Sequence, residues 1–121
     1  MEWKVEAVEE FVAELMALPE DVQDEIAAHS KLLKQFGPTV GRPRVDTLKG
    51  SVHANMKELR FSAADGEWRV AFAFDLERSA ILLVAGDKSG VSQKQFYKGL
   101  IAKADARFSA HRERLKKKES K

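Results

Sequence analysis

Two arginines occupy matching positions of a predicted β-hairpin. Arg60 lies in one apolar-alternating stretch, Arg69 lies in the next, and the turn-like residues 63–66 join the two stretches. A connection of this length places Arg60 directly opposite Arg69. Like charges paired across strands destabilise a sheet by roughly 0.2–1 kcal/mol, which favours an anion that both guanidiniums can bind. Phosphate is the usual anion of such a pair, so the sequence predicts a phosphate site.

More basic residues and one phenol are predicted at the same end of the sheet. Lys88 lies in the loop after the third apolar stretch, and Lys94 and Tyr97 lie three residues apart at the start of the last predicted helix. In an RNA site, guanidiniums hold the phosphate, ammonium groups attract the backbone, and a tyrosine stacks on a base or transfers a proton. The predicted catalytic residues are Arg60, Arg69, Lys88, Lys94 and Tyr97. The predicted RNA-binding rim comprises His53, Lys57 and Lys98.

Each of these residues also has an ordinary structural explanation. The two arginines could each pair with a glutamate, Glu58 or Glu67, on the surface of the sheet. Tyr97 could be an aromatic residue at the edge of the core, and Lys88 could be a solvated turn residue. His53 precedes the first long strand and could act as an acid or base beside the patch.

The composition is that of one globular domain without thiol chemistry. Its 121 residues predict a single domain spanning residues 1–121, and 44% hydrophobic content is enough for one core. The sequence contains no cysteine, and its three histidines are too scattered for a recognisable metal site. We expect no metal and no cofactor. We also expect a cytoplasmic protein that does not enter a membrane, because no apolar run approaches the length of a membrane span and no signal-peptide pattern is present.

Charge is distributed unevenly along the chain. Residues 1–40 contain 3 Lys or Arg and 9 Asp or Glu, whereas residues 41–121 contain 18 and 10. The net charge of +2 therefore combines an acidic N-terminal part with a basic body. A basic body can attract a polyanion over a long range, although a solvated charged surface has the same composition.

Hydrophobic periodicity predicts an α+β fold. Helical spacing runs from about Val8 to Pro19, from Pro19 to Phe36, and from near Ser92 towards the end of the chain. Strands are predicted over 56–63, 67–75 and 80–86, with short extended pieces possible at 3–7 and 45–48. We expect two N-terminal helices and a C-terminal helix packed on a small twisted antiparallel sheet. The third strand, apolar at every position, is predicted to be central.

The turn between the second and third strands predicts a second register. If its tip is formed by residues 77–78, Ala73 pairs with Leu82, Ala71 with Val84, and Arg69 with Gly86. The small residues on this face, and the glycine opposite Arg69, predict free space in front of both arginines. A slip of one residue would move the glycine to the other face.

These segments together resemble the RelE/ParE toxin superfamily, and most closely its HigB-like, phage-derived host-inhibition branch. The resemblance rests on HANMKELRF at 53–61, WRVAF at 68–72, AGDK at 85–88 and Phe96-Tyr97, and it covers most of the chain. It implies the RelE-like α+β fold. The family's arginine matches Arg69, its basic loop residue matches Lys88, and its tyrosine matches Tyr97, while Arg60 matches the HigB-like branch.

What the resemblance implies is the toxin of a type II toxin–antitoxin pair that cleaves mRNA on the ribosome without a metal. The 2′-hydroxyl would attack the adjacent phosphate and leave a 2′,3′-cyclic phosphate and a 5′-hydroxyl. The implied partners are the ribosome, mRNA and a cognate antitoxin of helix-turn-helix type, in a hetero-oligomer. Arg60 and Arg69 would stabilise the phosphorane, Lys88 and Lys94 would position the phosphate, and Tyr97 would stack or transfer a proton.

Two other functions stay open on the sequence. ParE-like relatives share the scaffold but inhibit DNA gyrase, so the fold alone does not establish RNA cleavage. A non-catalytic RNA-binding regulatory module could keep the basic surface without the chemistry.

Overall fold

The computed structural model describes residues 2–119, which form three α-helices and one five-stranded sheet. The predicted α+β class is confirmed. The strands are β1 (Lys4–Ala7), β2 (Val45–Thr47), β3 (Met56–Ala63), β4 (Gly66–Phe74) and β5 (Ser79–Asp87). The helices are α1 (Glu9–Leu15), α2 (Glu20–Phe36) and α3 (Gln93–Glu119), and a short 3₁₀ turn spans Gly37–Thr39.

The sheet has the strand order β1-β5-β4-β3-β2. Strands β3, β4 and β5 form the predicted antiparallel meander, and β5 lies in the interior between β1 and β4. Residues 79–84 of β5 are all buried, as expected for a strand covered on both faces. Strand β1 pairs with β5 in parallel, so the sheet is mixed instead of wholly antiparallel.

The predicted pairing of the two arginines is confirmed, because Arg60 lies opposite Arg69 across β3 and β4. Arg69 also lies opposite Gly86, as predicted. The predicted pairing of Ala73 with Leu82 is wrong: Ala73 lies opposite Ile81. A β-bulge after the Ala71–Val84 pair adds one residue to β5 and shifts the register beyond it.

Helices α2 and α3 cover opposite faces of the sheet. The ring of His29 on α2 lies 5.3 Å from the ring of Phe61 on β3. The ring of Phe96 on α3 lies against Gly86 on β5, on the face that carries Arg60 and Arg69. Adjacent strand residues point to opposite faces, so Phe61 faces α2 whereas Arg60 faces α3.

Local chemistry explains where α2 ends. Its apolar stripe is buried, and the helix stops at Gly37, whose φ of 56° favours glycine. A Cβ atom at Gly37 would also lie 2.3 Å from the indole nitrogen of Trp3, which leaves no room for a side chain.

An arginine joins α1, β5 and α3. Arg107 on α3 binds both carboxylate oxygens of Glu14 on α1, at 2.7 and 2.8 Å, and donates to the Leu83 carbonyl of β5 at 2.8 Å. The hydrogen bond from Arg107 lowers the pKa of Glu14 below its ordinary value. Arg107 therefore fixes the middle of α3 to the sheet and to α1, and this also holds the start of the helix in place.

Candidate active-site cleft

A cleft of about 590 Å³ opens between β2, β3 and the start of α3. It receives side chains from the strand face that carries Arg60, from the loop after β5 and from the first turns of α3. Its lining contains five cationic side chains and two carboxylates, which leaves it electropositive. The lining residues are Arg42, Asp46, Thr47, Leu48, Lys49, Glu58, Arg60, Lys88, Gln93, Lys94 and Tyr97.

Four of the five predicted catalytic residues line this cleft, namely Arg60, Lys88, Lys94 and Tyr97. They come from β3, from the loop after β5 and from α3, so only the folded chain brings them together. The fifth, Arg69, is absent from the lining because its side chain lies behind Tyr97.

Arg60 is partly exposed and forms an ion pair with a carboxylate. Its side chain is 36% exposed, and its Nη1 atom lies 3.6 Å from Asp46 Oδ2. The same oxygen lies 3.2 Å from the Nε atom of Arg42. The backbone N–H of Thr47 is the largest cause that lowers the pKa of Asp46, and the two arginines add to it. Asp46 is therefore ionised at neutral pH and offsets part of the positive charge at the entrance.

Arg69 forms a buried network with Tyr97 and Glu58. Its side chain is 6% exposed, its Nε atom donates to the Tyr97 hydroxyl at 3.2 Å, and its Nη1 atom donates to the Trp68 carbonyl at 2.8 Å. The Tyr97 hydroxyl donates in turn to Glu58 Oε1 at 2.8 Å. Glu58 is 8% exposed at its side chain and lies 3.6 Å from Arg69 Nε. The arginine is therefore neutralised inside the protein and does not face the cleft.

The environment of Tyr97 keeps its hydroxyl protonated. Burial is the largest cause that raises the pKa of Tyr97, and the hydrogen bond to Glu58 raises it further, while Arg69 acts in the opposite direction. Tyr97 therefore enters the cleft as a neutral phenol that can stack, accept a hydrogen bond or transfer its proton. It does not act as a phenolate base at neutral pH.

The loop that carries Lys88 is fixed by its neighbours. Asp87 Oδ1 accepts from the backbone N–H groups of Glu67 and Ser89, and the Lys88 N–H donates to the Glu67 carbonyl at 2.8 Å. Lys94, in the first turn of α3, is exposed. Both ammonium groups therefore border the cleft from backbone positions that the fold defines.

The predicted RNA-binding rim does not gather at this cleft. His53 packs edge-to-face on Phe108, with its Nε2 atom 3.0 Å from the Ser109 hydroxyl, far along α3. Lys57 alternates with Glu58 and points to the α2 face of the sheet. Lys98 is exposed on α3 but does not line the cleft. The free space predicted beside Gly86 is filled by the ring of Phe96.

Sequence reasoning did not assign four charged residues of the cleft, namely Arg42, Asp46, Lys49 and Glu58. The first three lie in or beside the short strand β2, which pairs with β3 and so reaches the patch. Glu58 shares the strand face of Arg60, two positions away, and that alternation was the available signal. Within residues 2–119, no cluster of three His, Asp or Glu side chains could hold a metal ion.

Comparisons with known proteins give a consistent family. The profile of the phage-derived Gp49-like proteins (DUF891) matches residues 13–109. The chain is 43% identical over 105 residues to the putative toxin HigB2 of Mycobacterium tuberculosis, covering 86% of this chain and 52% of that protein. It is 45% identical over 91 residues to the putative toxin HigB3 of the same organism, covering 75% and 77%. The chain thus spans only about half the length of HigB2.

A solved structure shares the fold. A mutant of the Escherichia coli toxin RelE in the free state aligns with 85% of this chain and 97% of its own, with a TM-score of 0.58 and 12% identity. At that identity the likeness concerns the fold alone. The family profile and the two HigB relatives confirm the HigB-like resemblance, and the solved structure confirms the RelE-like fold.

Proposed function

Because the chain belongs to the family of phage-derived Gp49-like proteins, we propose that it is the toxin of a toxin–antitoxin pair and cleaves mRNA in the translating ribosome. The similarity to two putative HigB toxins supports the first part. The cleavage activity rests on one observation above all: Arg60, Lys88, Lys94 and Tyr97 line a single electropositive cleft. The proposed partners are the ribosome, mRNA and an antitoxin, and the proposed location is the cytoplasm.

The size and charge of the cleft suit a single-stranded RNA. Five cationic groups around about 590 Å³ can contact consecutive phosphates, and the exposed Arg60 can hold two oxygens of one phosphate. The Tyr97 ring at the same site supplies an aromatic surface for a base. A cleft of this kind can bind RNA without recognising a double helix.

The proposed reaction uses the RNA's own nucleophile. The 2′-hydroxyl oxygen forms a bond to phosphorus, the bond from phosphorus to the 5′-oxygen breaks, and the products are a 2′,3′-cyclic phosphate and a 5′-hydroxyl. Water takes up the proton of the 2′-hydroxyl, and water or the Tyr97 phenol supplies a proton to the leaving 5′-oxygen, so that no net proton is consumed once the phenol regains its own proton from solvent. Arg60 stabilises the phosphorane, and Lys88 and Lys94 neutralise its charge.

We assign Arg69 a supporting role in place of direct phosphate binding. Its Nε atom holds the Tyr97 hydroxyl from behind, and Glu58 balances its charge. The network fixes the position of the phenol, so that Tyr97 can stack on a base or pass a proton without moving.

The test is primer extension on ribosome-bound mRNA with Arg60→Ala in a translating extract. We expect new 5′ ends with the unaltered chain and a rate at least about 100-fold lower with the variant, since loss of one charge-stabilising donor typically costs about 10²–10³. Arg114→Ala, an exposed arginine near the far end of α3, is the matched control and should cleave normally.

Three outcomes would contradict the proposal. Unchanged cleavage by Arg60→Ala would remove this cleft from the chemistry. Inhibition of gyrase supercoiling without new 5′ ends would favour a ParE-like function, and RNA binding without cleavage would favour a regulatory module.

A further inference from the structure

A second concave surface lies near the other end of α3. This groove encloses about 330 Å³, and its floor is apolar, with Phe74, Phe108 and Leu115 among its residues. Leu115 follows Tyr97 by 18 positions on one continuous helix, which corresponds to roughly 27 Å along the axis. The groove is therefore separate from the proposed cleavage site.

Exposed aliphatic side chains stand at the edges of this groove. Val52 is 80% exposed and Leu76 is 93% exposed, and both line it. Leu76 lies in the turn between β4 and β5, where Asp75 makes the hydrogen bonds that close the turn. Because Leu76 is almost fully exposed, its apolar side chain adds almost nothing to the packing of the isolated chain.

The available charge in the groove is positive. Its one carboxylate, Asp75, is 3% exposed at the side chain and fully engaged: Oδ1 accepts from the N–H groups of Glu77 and Ser79, and Oδ2 lies 2.9 Å from His111 Nε2. The side chain of Arg112 is exposed on the α3 wall and makes no ion pair or hydrogen bond with residues 2–118.

We propose that the groove docks an amphipathic segment of a partner protein, with large apolar side chains on one face and acidic residues on its flank. The apolar side chains would pack between Val52 and Leu76 over Phe108, and a carboxylate would pair with Arg112. The proposal rests on the proposed function in one respect, namely that the partner is the antitoxin. The exposed walls are aliphatic and Phe108 on the floor is only 5% exposed, so the groove offers a base little aromatic surface to stack on, which disfavours RNA as the occupant.

The position of the groove would let the antitoxin bind this chain without filling the cleavage cleft. Phe108, over which the segment would pack, follows Tyr97 by 11 positions, roughly 16 Å along the helix axis, so the segment can be bound while the cationic residues of the cleft stay accessible. Binding and inhibition then depend on different surfaces of this chain, and substitutions can separate them.

The experiment measures the affinity of the purified chain for the co-expressed and purified product of the adjoining reading frame, by calorimetry. Two groove variants are used, the double substitution Val52→Ser with Leu76→Ser, and Arg112→Glu. The controls are Met16→Ser, an apolar residue of α1 that is 74% exposed, and Arg114→Glu on the same helix as Arg112. All five substituted sites are exposed, and thermal melts check that the variants stay folded.

We expect Kd to rise about 30-fold or more in the double variant and about 10-fold in Arg112→Glu, with both controls within about 2-fold. mRNA cleavage by the groove variants should equal that of the unaltered chain. A failure of the proposed function would appear in the cleavage assay of Arg60→Ala, whereas a failure of the groove appears only in these affinities.

Several results would overturn the inference. These are unchanged affinity in both groove variants, absence of binding by the unaltered chain, or weakening by Lys94→Glu alone. Loss of concentration-dependent self-association in the groove variants, but not in Met16→Ser, would assign the groove to a second copy of this chain. Loss of RNA binding in the groove variants, with antitoxin binding intact, would assign it to RNA.

Discussion

Replacing Glu58 with leucine is expected to destabilise the protein severely. Glu58 and Arg69 are 8% and 6% exposed at their side chains, so the substitution leaves a guanidinium buried without its counter-charge. It also leaves the Tyr97 hydroxyl without its acceptor. Removing one partner of a buried pair costs about 3–5 kcal/mol, a large part of the about 5–15 kcal/mol that stabilises a domain.

Urea unfolding followed by circular dichroism measures this loss. With an m-value of about 2 kcal/mol/M, the midpoint should fall by roughly 2 M, and the melting temperature by about 12–20 °C. The matched control is Glu67→Leu, an exposed glutamate on the neighbouring strand, which should change stability by no more than about 0.5 kcal/mol.

A double-mutant cycle separates the charge from the packing. Glu58→Leu with Arg69→Met removes both charges, and the double variant should be more stable than Glu58→Leu alone by at least about 2 kcal/mol. A loss below about 1 kcal/mol in Glu58→Leu would refute the reasoning, because it would mean that solvent reaches Arg69. A double variant less stable than either single variant would refute it as well.

Other expected outcomes concern the same cleft. Tyr97 is the only tyrosine of the chain, so its absorbance at alkaline pH should titrate with a midpoint above 10.0 when folded and near that value in urea. Because the raised pKa belongs to the folded state, stability should be full below about pH 10 and fall as the pH rises through the folded-state value; a midpoint below 10 would contradict the burial of the hydroxyl. Asp46→Asn should tighten RNA binding modestly, by up to about 5-fold, because it frees the arginines of the cleft from a solvent-screened ion pair; weaker binding in a titration with labelled RNA would mean that the carboxylate orients them. Gly86→Ala should cost about 1–3 kcal/mol in urea unfolding, since its Cβ would lie 2.9 Å from the Phe96 ring. Gly99→Ala, with open space on the same helix, should be neutral or stabilising.

Much of the fold follows from local signals in the sequence. Alternation and the turn at 63–66 predicted the pairing of Arg60 with Arg69, because a short connection leaves few possible registers. The fully apolar stretch of β5 predicted an interior strand, because a strand that is apolar on both faces must be covered on both faces. The parallel pairing of β1 with β5 depends on contacts between distant parts of the chain, which no local pattern specifies.

The sequence predicted most residues of the candidate site but not how they are arranged. Alternation put Arg69 on the same face as Arg60, but which of the two stays exposed depends on where α3 lies across that face. Helix α3 brings the Tyr97 hydroxyl onto Arg69, and Glu58 completes the burial. Spacing along a strand does not contain that information.

The extra residue in β5 has a consequence for insertions and deletions in this chain. Ile81 and Val84 lie on the face that carries Arg69, although a regular strand would place residues three apart on opposite faces. The bulge therefore reverses the alternation of side chains between the two sheet faces from one half of the strand to the other. A deletion of one residue there would invert the half that leads to Gly86 and Lys88, so the length of this strand should be as restricted among functional relatives as any side chain of the cleft.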